Sequence, residues 1–313
     1  MGLNPEKIHE RLDRLAKYYS HAKKEDGSTE ARKENSSADP NRKLNELKRT
    51  LKNHKNVETK LYFIFLTTHF DNPTLAENFF AKIPWKTFLK KKDGLYKSLC
   101  EFFEKSENNG PIGVHRRYFR CMSKKGRIDY TLKVLKSYRE AINKYSNAQK
   151  KFFRLKNNAS PEENFNCLYN RMKTSGVHGF DKRLPRFDHL ERLSRCLNFC
   201  AIPGRFFSEE STGPLFGLHL LIFGTKCRTK NKIIRKISSK KNVNKLKDIM
   251  GENYKITDEN RETVFKPLEG WVIDQIRERV SKKLQKDPRF VFDLESCLCN
   301  WQKGKKEVVN EAC

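Results

Sequence analysis

An all-helical fold is what this sequence predicts, and three observations predict it. Apolar residues recur at three-to-four spacing in one segment after another, and nowhere does an alternating strand pattern run to useful length. The segments are separated by cap and breaker residues, Asn72-Pro73, Asn109-Gly110-Pro111, Ser160-Pro161 and Pro203-Gly204 among them. The apolar runs Leu61–Leu66 and Leu218–Phe223 have the length of buried helix faces and fall well short of the ~20 residues of a membrane span.

Taken in order, residues 1–24 read as a basic amphipathic helix, with Ile8, Leu12, Leu15 and Tyr18 or Tyr19 on its apolar stripe. Residues 25–41 have linker composition, so the first helix is expected as an extension of a body that starts near Asn41. Arg42–Lys52 then gives a charged helix and Thr59–Phe70 a buried one. Asn72 and Pro73 cap and start a third, whose core face is Leu75, Phe79, Phe80 and Ile83. Short helices over Trp85–Lys90 and Gly94–Lys105 follow. Beyond a turn at residues 107–111, Ile112–Cys121 and Tyr130–Lys144 are helical, with Ala148–Arg154 a candidate extension. Ser160 and Pro161 are the cap and first position of the next helix, Pro185 starts another, and Thr212-Gly213-Pro214 starts the one after it. These breaks divide the body into lobes of residues 42–156 and 157–305, with a tail at 306–313.

Charge narrows the partner. The chain has 313 residues, 66 Lys and Arg against 38 Asp and Glu, and a formal net charge of +28. Polyanions are the natural ligands of such a surface, because each neutralised phosphate releases condensed counterions. DNA, RNA and an acidic membrane surface are the candidates. Nine cysteines, an odd number at irregular spacing with no hydrophobic leader, read as reduced thiols of an intracellular protein, cytoplasmic or nucleoid or nuclear. The close pairs Cys196/Cys200 and Cys297/Cys299 do not match a paired C-x2-C zinc site, so no metal and no cofactor is expected.

Several groups of residues carry possible chemistry. Asp293, Glu295 and Lys303 lie off the apolar stripe of Phe292, Leu294, Leu298 and Trp301, and a carboxylate on a rigid helix inside a positive field suits proton transfer. The same segment also reads as a terminal helix whose acids offset lysines. His178, in a glycine-bearing loop with Lys182 and Arg183, reads as an acid, base or phosphate contact, or as a surface histidine. Gly213 and Gly217 have two readings. They let backbone amides approach a phosphate at a helix start, with Lys226 and Arg228 adding charge, or they mark a helix start and a close helix-packing contact. Arg186 and Arg192 line an anion groove, or Arg192 pairs with Asp188 one turn away. Arg116 and Arg117 beside Tyr118 give a basic segment with an interleaved aromatic, the composition that backbone contact and base stacking require.

Three stretches together, Leu184–Leu193, Ser211–Gly217 and Asp293–Lys303, resemble the alpha-glutamyl/putrescinyl thymine pyrophosphorylase-like proteins, a family related to helix-hairpin-helix DNA glycosylases. The similarity spans roughly residues 50–305. It implies a two-lobed helix-hairpin-helix DNA-glycosylase-like fold that flips a modified pyrimidine from DNA. It further implies that an amine displaces pyrophosphate from the flipped base, with Glu295 or Asp293 activating the amine and Trp301 stacking on the base. Asn300 stands where the family pattern carries an acid. A DNA glycosylase-like hydrolase, with a carboxylate activating water, and a non-catalytic nucleic-acid binder are the alternatives.

Overall fold

The computed structural model describes residues 3–25, 40–90, 94–105, 123–256 and 261–302, with the side chains of 24–25, 40–43 and 261–263 left aside. Sixteen α-helices and no strand are found among the described residues, so the fold is all-α as expected. The helices are α1 Pro5–Glu25, α2 Pro40–Lys52, α3 Val57–Phe70, α4 Pro73–Lys82, α5 Trp85–Lys90, α6 Leu95–Glu104, α7 Lys124–Asn143, α8 Gln149–Phe152, α9 Pro161–Thr174, α10 Arg183–Leu197, α11 Gly213–Phe223, α12 Lys230–Ile237, α13 Lys240–Met250, α14 Arg261–Arg279, α15 Lys282–Gln285 and α16 Phe290–Trp301. None of these is long and apolar enough to cross a membrane. The helix expected over Ile112–Cys121 lies outside the described residues, as do most of the linker and the tail.

The chain divides into two compact units, residues 32–201 and residues 1–31 with 202–313. The sequence breaks suggested a division at 156/157. It falls at 201/202 because α9 packs on α10, and α10 packs on α3. Thr68 and His189, 3.0 Å apart, join α3 to α10 in the interior, and Arg192 of α10 bonds Asp71 at 2.9 Å just past the end of α3.

In the unit of residues 32–201, α3 is the central helix. Every residue from Leu61 to Phe70 is buried, so this helix is enclosed on all sides rather than amphipathic. Phe65 stacks on Tyr138 with ring centroids 3.6 Å apart. The capping expectations hold. Asn72 accepts from Leu75 N at 3.1 Å with Pro73 in the first turn of α4, and Ser160 forms a reciprocal capping box with Glu163. The segment Ala148–Arg154 is not an extension of α7. Ser146 and Asn147, both at positive φ, turn the chain, and Glu58 then accepts from Gln149 N at 2.7 Å and Lys150 N at 3.1 Å to start the separate helix α8.

In the other unit, α1 is part of the core and not an appendage. Ile8, Leu12, Leu15 and Tyr19 are fully buried in one cluster with Leu218, Leu268, Ile276, Leu294 and Leu298. The apolar stripe that makes α1 amphipathic is therefore the side it packs on α14 and α16. The Arg11 guanidinium donates from Nη2 to Ile222 O at 3.0 Å, at the last turn of α11, where orphan carbonyls gather.

Candidate functional site

The site is built around α11 and α16, which pack face to face. Gly213 lies against Cys299 and Gly217 against Leu298. A Cβ added at Gly217 would sit 2.9 Å from the Leu298 carbonyl carbon and 3.1 Å from its Cβ. Of the two readings of these glycines, helix packing is the one the geometry shows. Their Cβ sides are occupied by α16, which leaves no room there for a phosphate.

This packing brings the acidic terminal helix onto the Thr212–Gly217 turn, but it aims the two acids differently. Asp293 accepts from Lys23 Nζ of α1 at 2.6 Å, and Asp287 holds the same ammonium at 3.1 Å. Burial pushes the Asp287 carboxyl up, but bonds from Arg289 and the Lys23 charge outweigh it and hold it far below the usual range. Asp293 thus ties α16 to α1. Glu295, 9% exposed, lies on the face that continues through Cys299 and Gln302 at spacings of four and seven. Trp301 belongs to the buried core at 8% exposed, so the base-stacking role expected for it is corrected: the apolar stripe that suggested stacking faces inward.

A concave pocket of about 270 Å³ opens beside this helix pair, lined by Phe216, Leu220, Lys226, Cys227, Arg228 and Gln302. Phe216 and Leu220 are one helical turn apart on the open side of α11 and are only half-buried. Gly224, at φ +66°, ends α11 in the left-handed conformation and turns the chain so that Lys226 and Arg228 follow at once. Both cations are exposed. Gln302 donates to Cys299 O at 3.0 Å, which fixes it at the end of α16. The pocket thus joins an aromatic and an aliphatic floor to two cations and one amide. It has the size and lining to hold a flat, partly apolar ring bearing anionic groups.

Beside the start of α11 lies a buried acid cluster that the sequence reading missed. Glu269 of α14 is fully buried and accepts from Phe206 N, Phe207 N, Ser208 N and Arg205 Nε at 2.7 to 3.1 Å, and from the Ser208 hydroxyl. Arg205 grips Glu209 through both of its oxygens at 2.6 Å. Phe207 is held at φ +53°, a conformation a bulky residue rarely adopts. Burial, with Glu269 adding to it, raises Glu209 to about 7 against the pull of Arg205. Only Arg205 beside Gly204 and two glutamates was visible in the sequence, a pattern too common to single out.

The remaining expected residues fall in the other unit or outside the described residues. His178 stands beside Tyr130 and His69 at a cavity of about 20 Å³, room for a water. Burial, then the Lys133 charge, lowers its imidazole. Arg186 is fully buried. It donates to Phe180 O at 2.7 Å, Asp181 O at 3.0 Å and Tyr169 Oη at 2.8 Å, with its guanidinium over the Tyr169 ring. Its assignment to an anion groove is corrected: three oxygens already use its donors. Arg192 is half-buried against Asp71. Arg116, Arg117, Tyr118 and Lys303 lie outside the described residues.

The family model of the amino acid:DNA transferases matches residues 40–309. Comparison with curated proteins and with solved structures gives no match.

Proposed function

The chain belongs to the amino acid:DNA transferase family, and from that premise we propose that it transfers an amino acid, through its amine, to a modified pyrimidine in DNA. The observation that supports this reading best is the pocket of Phe216, Leu220, Lys226, Arg228 and Gln302. Phe216 and Leu220 offer faces for a flipped base, and Lys226 and Arg228 offer charge to the phosphates that leave it. In the reaction, the amine nitrogen forms a bond to the exocyclic carbon of the base. The bond from that carbon to the pyrophosphate oxygen breaks, and pyrophosphate departs with the electron pair. The proton released by the amine needs an acceptor, and the reading assigns it to Glu295, which shares a face of α16 with Gln302.

The test is to incubate the protein with an oligonucleotide carrying pyrophosphorylated hydroxymethyl-uracil and a mixture of amino acids, then to weigh the released nucleosides. An amino-acid adduct and one pyrophosphate per adduct are expected. Lys226→Ala with Arg228→Ala is expected to lower turnover at least tenfold, and Glu295→Gln to abolish it while the protein still binds the oligonucleotide. Abasic sites in place of adducts would favour the glycosylase-like hydrolase. Intact starting nucleoside with every amino acid would leave only a binding protein.

A further inference from the structure

From Ser211 to Lys247 the chain contains no Asp or Glu, whereas ten Lys and Arg lie between Lys226 and Lys247. This is the longest acid-free stretch of the molecule, and it begins with α11 and the wall of the pocket. Beyond Arg228 it continues into two short helices, α12 and α13, joined by Ser238 and Ser239. Ile233, Ile234 and Ile237 of α12 and Val243, Leu246 and Met250 of α13 are buried in the core of their unit. Lys232, Arg235, Lys240, Lys241 and Lys247 are exposed. The turn between the helices is fixed, because Ser239 Oγ at 3.1 Å and Asn242 Nδ2 at 2.7 Å both donate to Lys236 O.

Elsewhere some cations are paired with acids, as in Lys82–Glu101, Arg195–Glu191 and Arg279–Asp13. Others such as Lys86, Lys90, Lys97 and Lys151 have no such partner among the described residues, but no other acid-free stretch gathers so many cations. Among the described residues, Lys232, Arg235, Lys240, Lys241 and Lys247 take part in no such pair. A set of uncompensated cations held on a rigid helical pair costs self-repulsion and returns no packing, since the apolar sides of both helices are already used. Such a set is matched by a regularly spaced polyanion. We propose that the α12–α13 arm is the track along which the sugar–phosphate backbone of DNA lies while its base occupies the neighbouring pocket. An eleven-residue helix such as α13 is about 16 Å long, which corresponds to roughly five nucleotide steps of one strand. The proposal rests on the transferase reading for its choice of DNA, but it concerns grip rather than chemistry.

The experiment compares two variants of the full chain that lose the same charge. One carries Lys232→Gln, Arg235→Gln, Lys240→Gln and Lys241→Gln on the arm. The other carries Lys86→Gln, Lys90→Gln, Lys97→Gln and Lys151→Gln, all exposed residues of the unit of residues 32–201. Binding of a fluorescent 20-mer is measured across a salt series, and turnover is measured at varied DNA concentration. The arm variant is expected to bind at least tenfold more weakly at 0.1 M salt, with its salt slope reduced by about 3 to 4 on duplex and somewhat less on single strand. Its KM for DNA rises while kcat is kept, and the control variant stays near wild type. Equal losses in the two variants would overturn the proposal, because binding would then follow total charge and not the arm. Loss of binding to anionic phospholipid vesicles with DNA affinity unchanged would overturn it in favour of a membrane surface. An absence of amino-acid transfer by the wild type would sink the transferase reading and leave the binding comparison intact.

Discussion

Gly217 of α11 rests directly on the backbone of Leu298 in α16, with no side chain between the two helices at that point. The atoms a side chain at Gly217 would meet are the Leu298 carbonyl group and Cβ, and neither can swing away. Gly217→Ala is therefore expected to lower stability by about 1–3 kcal/mol, read from chemical denaturation. At Gly213 the obstacle is mainly the Cys299 side chain. Cys299→Ala is expected to restore part of the loss from Gly213→Ala and to do nothing for Gly217→Ala. Unchanged denaturation midpoints for both glycine variants would mean that α11 and α16 do not pack this closely.

Helix positions were largely legible in the sequence because caps and periodicity are local. Asn72 and Ser160 act within three residues of where they stand, and both do what their neighbours imply. The fates of Arg186 and Trp301 were not legible, since each depends on residues far along the chain. Arg186 has the sequence look of a surface cation until Tyr169 and the carbonyls of Phe180 and Asp181 take its donors. The apolar stripe of α16 is visible in the sequence, but not that Trp301 at its end is buried with the rest. Nearness in sequence to a glycine-bearing helix start makes Lys226 and Arg228 candidate phosphate contacts. The structure puts both on the wall of a pocket, though the glycines beside them serve packing.

Stability of the unit of residues 1–31 and 202–313 should carry a signature of Glu209. Its folded-state value of about 7 lies above the ordinary carboxylate range, so the folded state binds this proton more tightly than the unfolded chain does. The stabilising contribution is complete below about pH 4.5 and is lost as pH rises through 7, by at most about 3 kcal/mol. Trp271 and Trp301 report on this unit once Trp85 is replaced by Phe. In that background Glu209→Gln is expected to flatten the decline between pH 4.5 and 7. An identical slope in the variant would remove Glu209 as its source.

The unit of residues 32–201 should respond in the opposite sense. Burial, then the Arg192 charge, lowers His189 to about 3, and burial with the nearby His178 does the same to His69. Both imidazoles are neutral when folded, and the unfolded chain takes up their protons first as pH falls. Their contribution is present above about pH 6.5 and is lost as pH falls toward 3, by up to about 5 kcal/mol for each. Followed through Trp85 in a chain with Trp271 and Trp301 replaced by Phe, stability should fall on acidification. His189→Asn should make that fall shallower. A steeper fall in the variant would contradict the assignment.

Arg186→Met separates a buried structural arginine from a DNA contact. The substitution leaves the Phe180 and Asp181 carbonyls and the Tyr169 hydroxyl without a donor in a site closed to water. A loss of about 3–5 kcal/mol is expected in thermal or chemical unfolding, because several buried acceptors lose their donor at once. At temperatures where the variant remains folded, its affinity for the 20-mer should match wild type, because the guanidinium never meets solvent. Weakened DNA binding with unaltered stability would place Arg186 back at the surface.

The tie between Lys23 and Asp293 gives the last separation, between an acid that acts in chemistry and one that holds α16 in place. Asp293 and Asp287 share one ammonium, and all three side chains are mostly buried. Asp293→Asn gives up a charge-assisted bond between mostly buried groups while Asp287 keeps the ammonium paired, so it is expected to cost about 1–3 kcal/mol. Lys23→Met removes the cation between two carboxylates and is expected to cost more. The double variant Lys23→Met with Asp293→Asn should cost less than the sum of the two singles, because the pair acts as one unit. The same coupling should govern turnover, with the activity of each single variant following its folded fraction. A fully folded Asp293→Asn chain without transfer activity would instead make Asp293 the proton acceptor and displace Glu295 from that role.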